Sequence, residues 1–126
     1  MASRFPHETP IAVGDATYTP AEITAALGPL VTARRRARIA EVVAARTCTV
    51  TPVLEGLYDR GNVSAVLRSA EALGFQSVHI AALQETWREA KRVTQGAQKW
   101  LDVWEWDTTA QALEHLRARG YRNYAM

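Results

Sequence analysis

The sequence contains a single cysteine, Cys48, among its 126 residues. One cysteine excludes an intramolecular disulfide framework and a cysteine-based zinc site, and it fits a reducing compartment. No window approaches the roughly 18 apolar residues that a membrane-spanning helix requires. Residues 1–20 have no basic start followed by an apolar block, so they are not a secretory signal. These absences predict a cytoplasmic location.

Motifs of several enzyme classes are also missing. The sequence has neither GxxxxGK[ST] nor GxGxxG, which removes support for a nucleotide-binding enzyme. It has no GxSxG, which removes support for a serine hydrolase. No acidic residues form an obvious carboxylate pair, and we predict no metal site. The histidines are far apart in sequence, and we interpret them as surface or packing residues: His7, His79 and His115.

Composition and charge indicate one globular domain with a basic segment. Apolar residues make up 48% of the chain and charged residues 22%, which is typical of a packed core. The net charge is only +2. Five arginines and one glutamate between Ala33 and Arg46 give that segment +4, so the remainder carries −2. Arginine clustered on one helix favours a phosphate-binding role. A solvated helix face is the alternative.

The first half of the chain predicts two helices after an irregular start. Residues 1 to about 19 are punctuated by proline and show no period. A short helix is expected from Pro20 until Gly28 and Pro29 end it. A second helix is expected over residues 31–46, with an apolar stripe that the arginines mostly avoid.

The second half predicts alternating strands and helices. The segment CTVTPVLEGL is typical of a strand, and a helix should follow the turn Asp59–Gly61 and stop at Gly74. SVHIAAL predicts the next strand, so the sheet should be parallel. Residues 84–100 are expected to be mostly loop. LDVWEW predicts a strand, Asp107 or Thr108 should cap a helix that ends at Gly120, and YRNYAM predicts the start of another strand.

Two kinds of residue on these elements have both structural and functional interpretations. Arg68 could be a surface ion-pair partner of Glu71, worth about half a kcal/mol. It could instead be a working guanidinium, and Asn62 upstream could simply be an N-cap. The tryptophans could stack on bases or pack in a core or dimer interface: Trp87, Trp100, Trp104 and Trp106.

A family resemblance favours the functional interpretation of Arg68. The segment NVSAVLRSAEALG, Asn62 to Gly74, with the basic helix before it and VTQGAQKWLDV after it, resembles the SpoU-type RNA ribose 2′-O-methyltransferases of the SPOUT superfamily. The likeness is strongest to the TrmH-type tRNA (guanosine-2′-O-)-methyltransferases. It extends from about Arg34 to Tyr124. The implied fold is α/β, with a parallel-sheet, SPOUT-like (Rossmann-like) domain.

The resemblance implies a reaction and a set of site residues. Members of this family transfer a methyl group from S-adenosylmethionine to a ribose 2′-hydroxyl, and the residue matching Arg68 is catalytic. Asn62 would position Arg68 and its loop. The basic positions that hold tRNA correspond to three arginines: Arg35, Arg38 and Arg46. Thr94 and Gly96 are weak candidates for contact with the cofactor.

The resemblance also sets the expected domain plan. Residues 1–28 form an irregular segment and short helix, and residues 29–126 form a partial SpoU-type domain with the basic RNA-binding helix at 31–46. The sequence stops before the C-terminal trefoil-knot region that supplies most of the cofactor pocket and dimer interface. We therefore expect a piece of a homodimeric tRNA or rRNA methyltransferase, or a non-enzymatic RNA-binding module.

Overall fold

A computed structural model describes residues 10–56, 60–82 and 99–125. The chain divides into two compact units, Met1–Thr47 and Cys48–Met126. The basic helix therefore belongs to the first unit. The boundary predicted between residues 28 and 29 marks the expected start of the SpoU-type domain. The division into compact units does not test where that domain starts, so the boundary stays a prediction.

The first unit begins with a β-hairpin, which the sequence analysis did not predict. Strand β1, Ile11–Val13, pairs antiparallel with β2, Ala16–Tyr18. Gly14 adopts φ +61° in the two-residue connection, a conformation that glycine reaches without steric cost. The expectation of an irregular segment is therefore wrong for residues 11–18. Strands of three residues are too short to show an alternating pattern in the sequence.

Helix α1, Pro20–Leu27, is defined by capping at both ends. The Thr19 hydroxyl accepts from the Glu22 amide at 3.2 Å, and the Glu22 carboxylate accepts from the Thr19 amide at 2.7 Å. This reciprocal capping box satisfies two amides that the helix leaves free. Gly28 is the C-cap, and a 3₁₀ turn follows over Gly28–Leu30. The predicted helix and its end are confirmed.

Helix α2, Ala33–Ala44, is the basic helix. Thr32 is its N-cap, and its hydroxyl accepts from the Arg35 amide at 3.3 Å. Helix α2 is shorter than the helix predicted over residues 31–46. Thr32 caps its N-terminus, and the helical conformation ends before Arg46. None of its residues is buried.

The second unit contains a three-stranded parallel sheet. The strands are β3 (Val53–Glu55), β4 (Ser77–Ala81) and β5 (Asp102–Trp106), in the order β3-β4-β5. Val53 pairs with His79, and His79 pairs with Trp104. All five residues of the central strand are buried. The predicted α/β fold with a parallel sheet is confirmed.

Helix α3, Arg60–Ala72, packs on one face of this sheet. Its apolar stripe, Val63, Leu67 and Ala70, packs with Val78 and Ile80 of β4 and with Leu101, which immediately precedes β5. Leu67 is fully buried, a burial worth about 1.5–3 kcal/mol. Gly74, at φ +78°, ends the helix, with its amide donating to Glu71 and the Phe75 amide to Ala70, a Schellman motif. The predicted stop at Gly74 is confirmed.

Helix α4, Thr109–Ala118, packs on the opposite face. Thr108 is the N-cap, in a capping box with Gln111. Ala112 and Leu116 are buried. Because side chains alternate along a strand, the residues beneath α4 are those that α3 does not touch. Two helices therefore enclose the sheet in three layers.

The segment Tyr121–Ala125 is not a strand, so that expectation is wrong. A strand is defined by a ladder of backbone hydrogen bonds to a neighbour, whereas the hydrogen bonds of this segment are made by its first residue. The Tyr121 amide donates to Leu116, and the Tyr121 hydroxyl donates to the Cys48 carbonyl. The loop expected over residues 84–98 lies outside the described residues. No helix in the part of the chain that the structure describes is long and apolar enough to cross a membrane.

Candidate functional site

Arg68 lies on the exposed side of helix α3, next to the fully buried Leu67. Within the described ranges its guanidinium has no hydrogen bond or ion pair, and the pair with Glu71 considered from the sequence is not formed. None of the five N–H donors of Arg68 is therefore used by a described residue. The structural interpretation of Arg68 as an ion-pair partner loses its support.

Asn62 lies on the same helix as Arg68 but does not bond to it. It is the third residue of α3, so its expected place at the N-cap is wrong: the helix already begins at Arg60. Six residues of α-helix place Asn62 and Arg68 about 9 Å apart along the axis and about a third of a turn apart around it. The positioning role of Asn62 therefore stays a prediction.

The arginines of α2 differ in what they contact. Arg35 is exposed, and its side chain has no hydrogen bond or ion pair to any described residue. Arg38 pairs with Glu41 at 2.9 Å, with both side chains at least two-thirds exposed, so the pair contributes little. Arg36 donates to the carbonyls of Gly28 and Val31 at 2.7 and 2.8 Å. Arg36 is thus a brace for the chain before α2, whereas Arg35 and Arg38 are accessible to an anion.

Arg46 is placed differently from the other candidate RNA contacts. It lies two residues beyond the end of α2 and is only 7% exposed. Contact between an RNA phosphate and this guanidinium would require the side chain to become accessible. Its assignment as an RNA contact stays a prediction, and it is the least accessible of the three predicted arginines.

A cluster of four rings lies between α4 and the sheet: His79, Trp104, Trp106 and His115. The His79 ring is stacked with both indoles at 5.9 Å, and His115 lies 4.8 Å from Trp106. The Trp106 indole N–H donates to Nδ1 of His79 at 3.0 Å. This bond requires a neutral His79 whose proton is on Nε2. We refer to these residues as the ring cluster.

The ring cluster is uncharged at neutral pH. Burial lowers the pKa of His79 to about 4, with smaller contributions from His115 and Arg119. Burial, followed by Arg119, also lowers the pKa of His115, whose buried Nε2 has no partner among the described residues. These imidazoles therefore pack rather than transfer protons.

The sequence analysis treated these histidines and tryptophans separately and missed the cluster. Residues 79, 104 and 106 lie on the same face of paired strands, but this becomes visible only once the register of β4 against β5 is known. His115 reaches them because it lies on the inner side of α4, one residue before the buried Leu116. A sequence-level signal was the alternation of Trp104 and Trp106 in a half-buried strand.

The predicted cofactor contacts, Thr94 and Gly96, lie outside the described residues, and they stay predictions. At the carboxyl end of β3, where ligands bind in open parallel sheets, the Glu55 carboxylate accepts from the Thr109 hydroxyl at 2.7 Å. No three potential metal ligands converge anywhere in the part that the structure describes.

Fold and site together define an α/β chain with a parallel sheet and an exposed arginine on its crossover helix. The chain belongs to the SpoU rRNA methylase family, whose profile matches residues 49–126. This match confirms the family predicted from the segment Asn62–Gly74.

Individual relatives agree with this assignment. The tRNA (guanosine(18)-2′-O)-methyltransferase of Borreliella burgdorferi is 30% identical over 95 residues, which cover 75% of this chain and 44% of that protein. The enzyme of the same name from Escherichia coli K12 is 33% identical over 86 residues, 68% of this chain and 38% of that protein. The chain thus spans less than half the length of these relatives.

A solved structure shows the same fold. The A. aeolicus TrmH/SpoU tRNA modifying enzyme superposes with a TM-score of 0.58 at 22% identity, over 71% of this chain and 46% of that one. At this identity the similarity supports the fold alone, and it agrees with the predicted SPOUT-like sheet.

Proposed function

We propose that this chain is part of an enzyme that methylates the ribose 2′-hydroxyl of an RNA, with tRNA as the substrate class. The observation that carries the proposal is Arg68, exposed and unpaired among the described residues, within the segment that matches the family profile. The relatives named for guanosine 18 of tRNA favour tRNA over ribosomal RNA.

The proposed role of Arg68 is electrostatic. An arginine side chain has a pKa above about 12 and is a poor proton acceptor at neutral pH. Its planar fork can bind a phosphate of the RNA and stabilise the alkoxide that develops when the 2′-hydroxyl loses its proton. An exposed guanidinium that no described carboxylate engages is suited to both tasks. Asn62 would order the start of the same helix.

The proposed RNA contacts on the first unit begin with Arg35 and Arg38. Both are exposed, and the Arg38–Glu41 pair is weak enough for a phosphate to replace the carboxylate. Arg46 is the third proposed contact, and its use requires a change in its surroundings.

The proposed methyl donor is S-adenosylmethionine, the donor that the resemblance implies for the family. Its predicted contacts, Thr94 and Gly96, lie outside the described residues, so we derive no step that involves it. A homodimer and a cytoplasmic location complete the proposal. An RNA-binding module without transfer activity is the alternative, favoured by the exposed arginines of α2.

Methyl transfer tests the proposal. The purified protein, as this chain and as the complete gene product, is incubated with tRNA and S-adenosylmethionine labelled on its methyl group. Arg68→Ala should lower the transfer rate about 10²- to 10³-fold, the usual effect of removing one stabilising donor. Ser69→Ala is the matched control, because Ser69 neighbours Arg68 and its hydroxyl donates to the Ala65 carbonyl of its own helix, at 2.9 Å.

The outcomes separate the two functions. Loss of transfer in Arg68→Ala with normal rates in Ser69→Ala supports a catalytic Arg68. A near-normal rate in Arg68→Ala overturns that role. Salt-dependent tRNA binding with no transfer by the complete gene product and no binding of S-adenosylmethionine supports the binding module.

A further inference from the structure

The end of helix α4 carries a second group of arginines, in the same compact unit as Arg68. Arg119 and Arg122 are both exposed, and residues 115–126 include no acidic residue. Neither guanidinium has a hydrogen bond or ion pair to a described residue. This basic surface is separate in sequence from the arginines of α2.

Arg119 differs from an ordinary surface arginine because an aromatic ring positions it. Its guanidinium carbon lies 5.5 Å from the ring centroid of Trp104, a cation–π distance. Trp104 is itself held in the ring cluster, stacked 5.9 Å from His79. Stacking uses the face of the guanidinium and leaves its N–H edges free for a phosphate.

The chain after Arg119 is also fixed. Gly120 adopts φ +85° and its amide donates to the Arg117 carbonyl at 2.9 Å. The Tyr121 hydroxyl donates to the Cys48 carbonyl, which anchors the chain immediately before Arg122. Arg119 and Arg122 therefore lie on either side of an anchored turn. Little conformational freedom would be lost on binding at this turn, which favours affinity.

The charge of Arg119 acts on three titratable neighbours. The Arg119 cation lowers the pKa of both cluster histidines, and it opposes the rise that burial and Cys48 cause in the pKa of Tyr121. Each effect has the sign expected of a nearby positive charge, and a positive charge attracts an anion.

We propose that Arg119, positioned by Trp104, and Arg122 form a second phosphate-binding surface for the RNA substrate. This inference rests on the proposed function, because it takes RNA as the ligand. Arg119 is the contact residue, and Trp104 is a positioning residue that acts through it. The competing explanation is that a cation near the C-terminus of α4 only stabilises the helix dipole.

Filter binding of tRNA to the full chain across a salt series tests the proposal. Arg119→Ala should weaken binding about 5- to 10-fold near physiological salt and reduce the slope of log affinity against log salt by about 0.7 to 0.9. Arg119→Lys keeps the charge and should retain the slope. Trp104→Phe should weaken binding about 2- to 3-fold when Arg119 is present and have no effect in Arg119→Ala.

Stability is measured on the same variants. A role limited to the helix dipole would lower the melting temperature of Arg119→Ala and leave the salt slope of binding unchanged, and that result overturns the proposal. An equal effect of Trp104→Phe with and without Arg119 overturns the positioning role. Absence of salt-dependent tRNA binding by the unmodified protein would refute the proposed RNA function as well. Normal binding that is insensitive to Arg119 refutes only this surface.

Discussion

The two compact units of the chain are stabilised in different ways. In the first unit, no described apolar residue is buried, and side chains such as Val13, Leu27 and Leu30 are more than half exposed. Its order comes from local hydrogen bonds: the hairpin, the capping box of α1 and the Arg36 brace. In the second unit, every strand and both helices contribute to a buried core. Local capping is thus sufficient to shape a helix, whereas tertiary burial is what makes a unit cooperative.

A core truncation should produce the largest difference between the units. Leu67→Ala removes a fully buried side chain from the second unit and should lower its free energy of unfolding by about 2–5 kcal/mol. Ile39→Ala, on the partly exposed stripe of α2, should change stability by less than about 1 kcal/mol. Urea denaturation followed by tryptophan fluorescence measures the free energy of unfolding of the second unit in both variants, because all four tryptophans lie beyond residue 47. Similar losses for both variants would contradict the contrast.

Acid should destabilise the second unit through its buried histidine. Folding lowers the pKa of His79 from 6.5 to about 4, so as pH falls the unfolded chain takes up this proton first. The free energy of unfolding should therefore be highest above pH 6.5 and decrease between pH 6.5 and about pH 4.

A variant that cannot titrate isolates this effect. His79→Phe keeps a ring in the cluster but binds no proton, so its stability should change less over this pH interval. Carboxylates titrate in both proteins, and the difference between the two urea-midpoint curves therefore reports His79. Parallel curves would show that His79 does not determine the acid response.

Matched capping variants should give the smallest effect and the sharpest comparison. Thr19→Ala and Thr108→Ala each remove the hydroxyl of a capping box, at a local cost of about 1 kcal/mol. Because α4 packs on the core, Thr108→Ala should lower the unfolding midpoint of the second unit. Because α1 buries no residue, Thr19→Ala should reduce helicity by circular dichroism and leave that midpoint unchanged. A shift of the midpoint in Thr19→Ala would contradict this picture.

Local signals in the sequence predicted most of the second unit. Apolar repeats at helical spacing, Thr108 before a helix and Gly74 after one depend on interactions within a few residues. The same reasoning failed for the hairpin, whose strands are too short to show a pattern. It also failed for Tyr121–Ala125, where strand-like composition does not supply a neighbouring strand, and for Asn62, because α3 begins two residues earlier.

Some features of the candidate site were likewise predictable from the sequence, and others were not. The segment from Asn62 to Arg68 and the family it indicates were visible in the sequence, and the family match confirms that identification. What Arg68 contacts was not visible, because a pair with Glu71 at helical spacing was equally compatible with the residues. The difference between Arg36, which braces the chain, and Arg35, which does not, was likewise hidden, since three adjacent arginines look alike in a sequence.

The sequence by itself determined the family, the order of the elements from β3 to α4 and the position of the arginine on its helix, because these depend on residue identity and short-range spacing. Only the tertiary structure decided which charges remain unpaired and which rings meet. Strand register brought His79 to Trp104, and the packing of α4 brought His115 and Arg119 to the same place. Such contacts join residues far apart in the chain, and their energies depend on burial, which a sequence position alone does not specify.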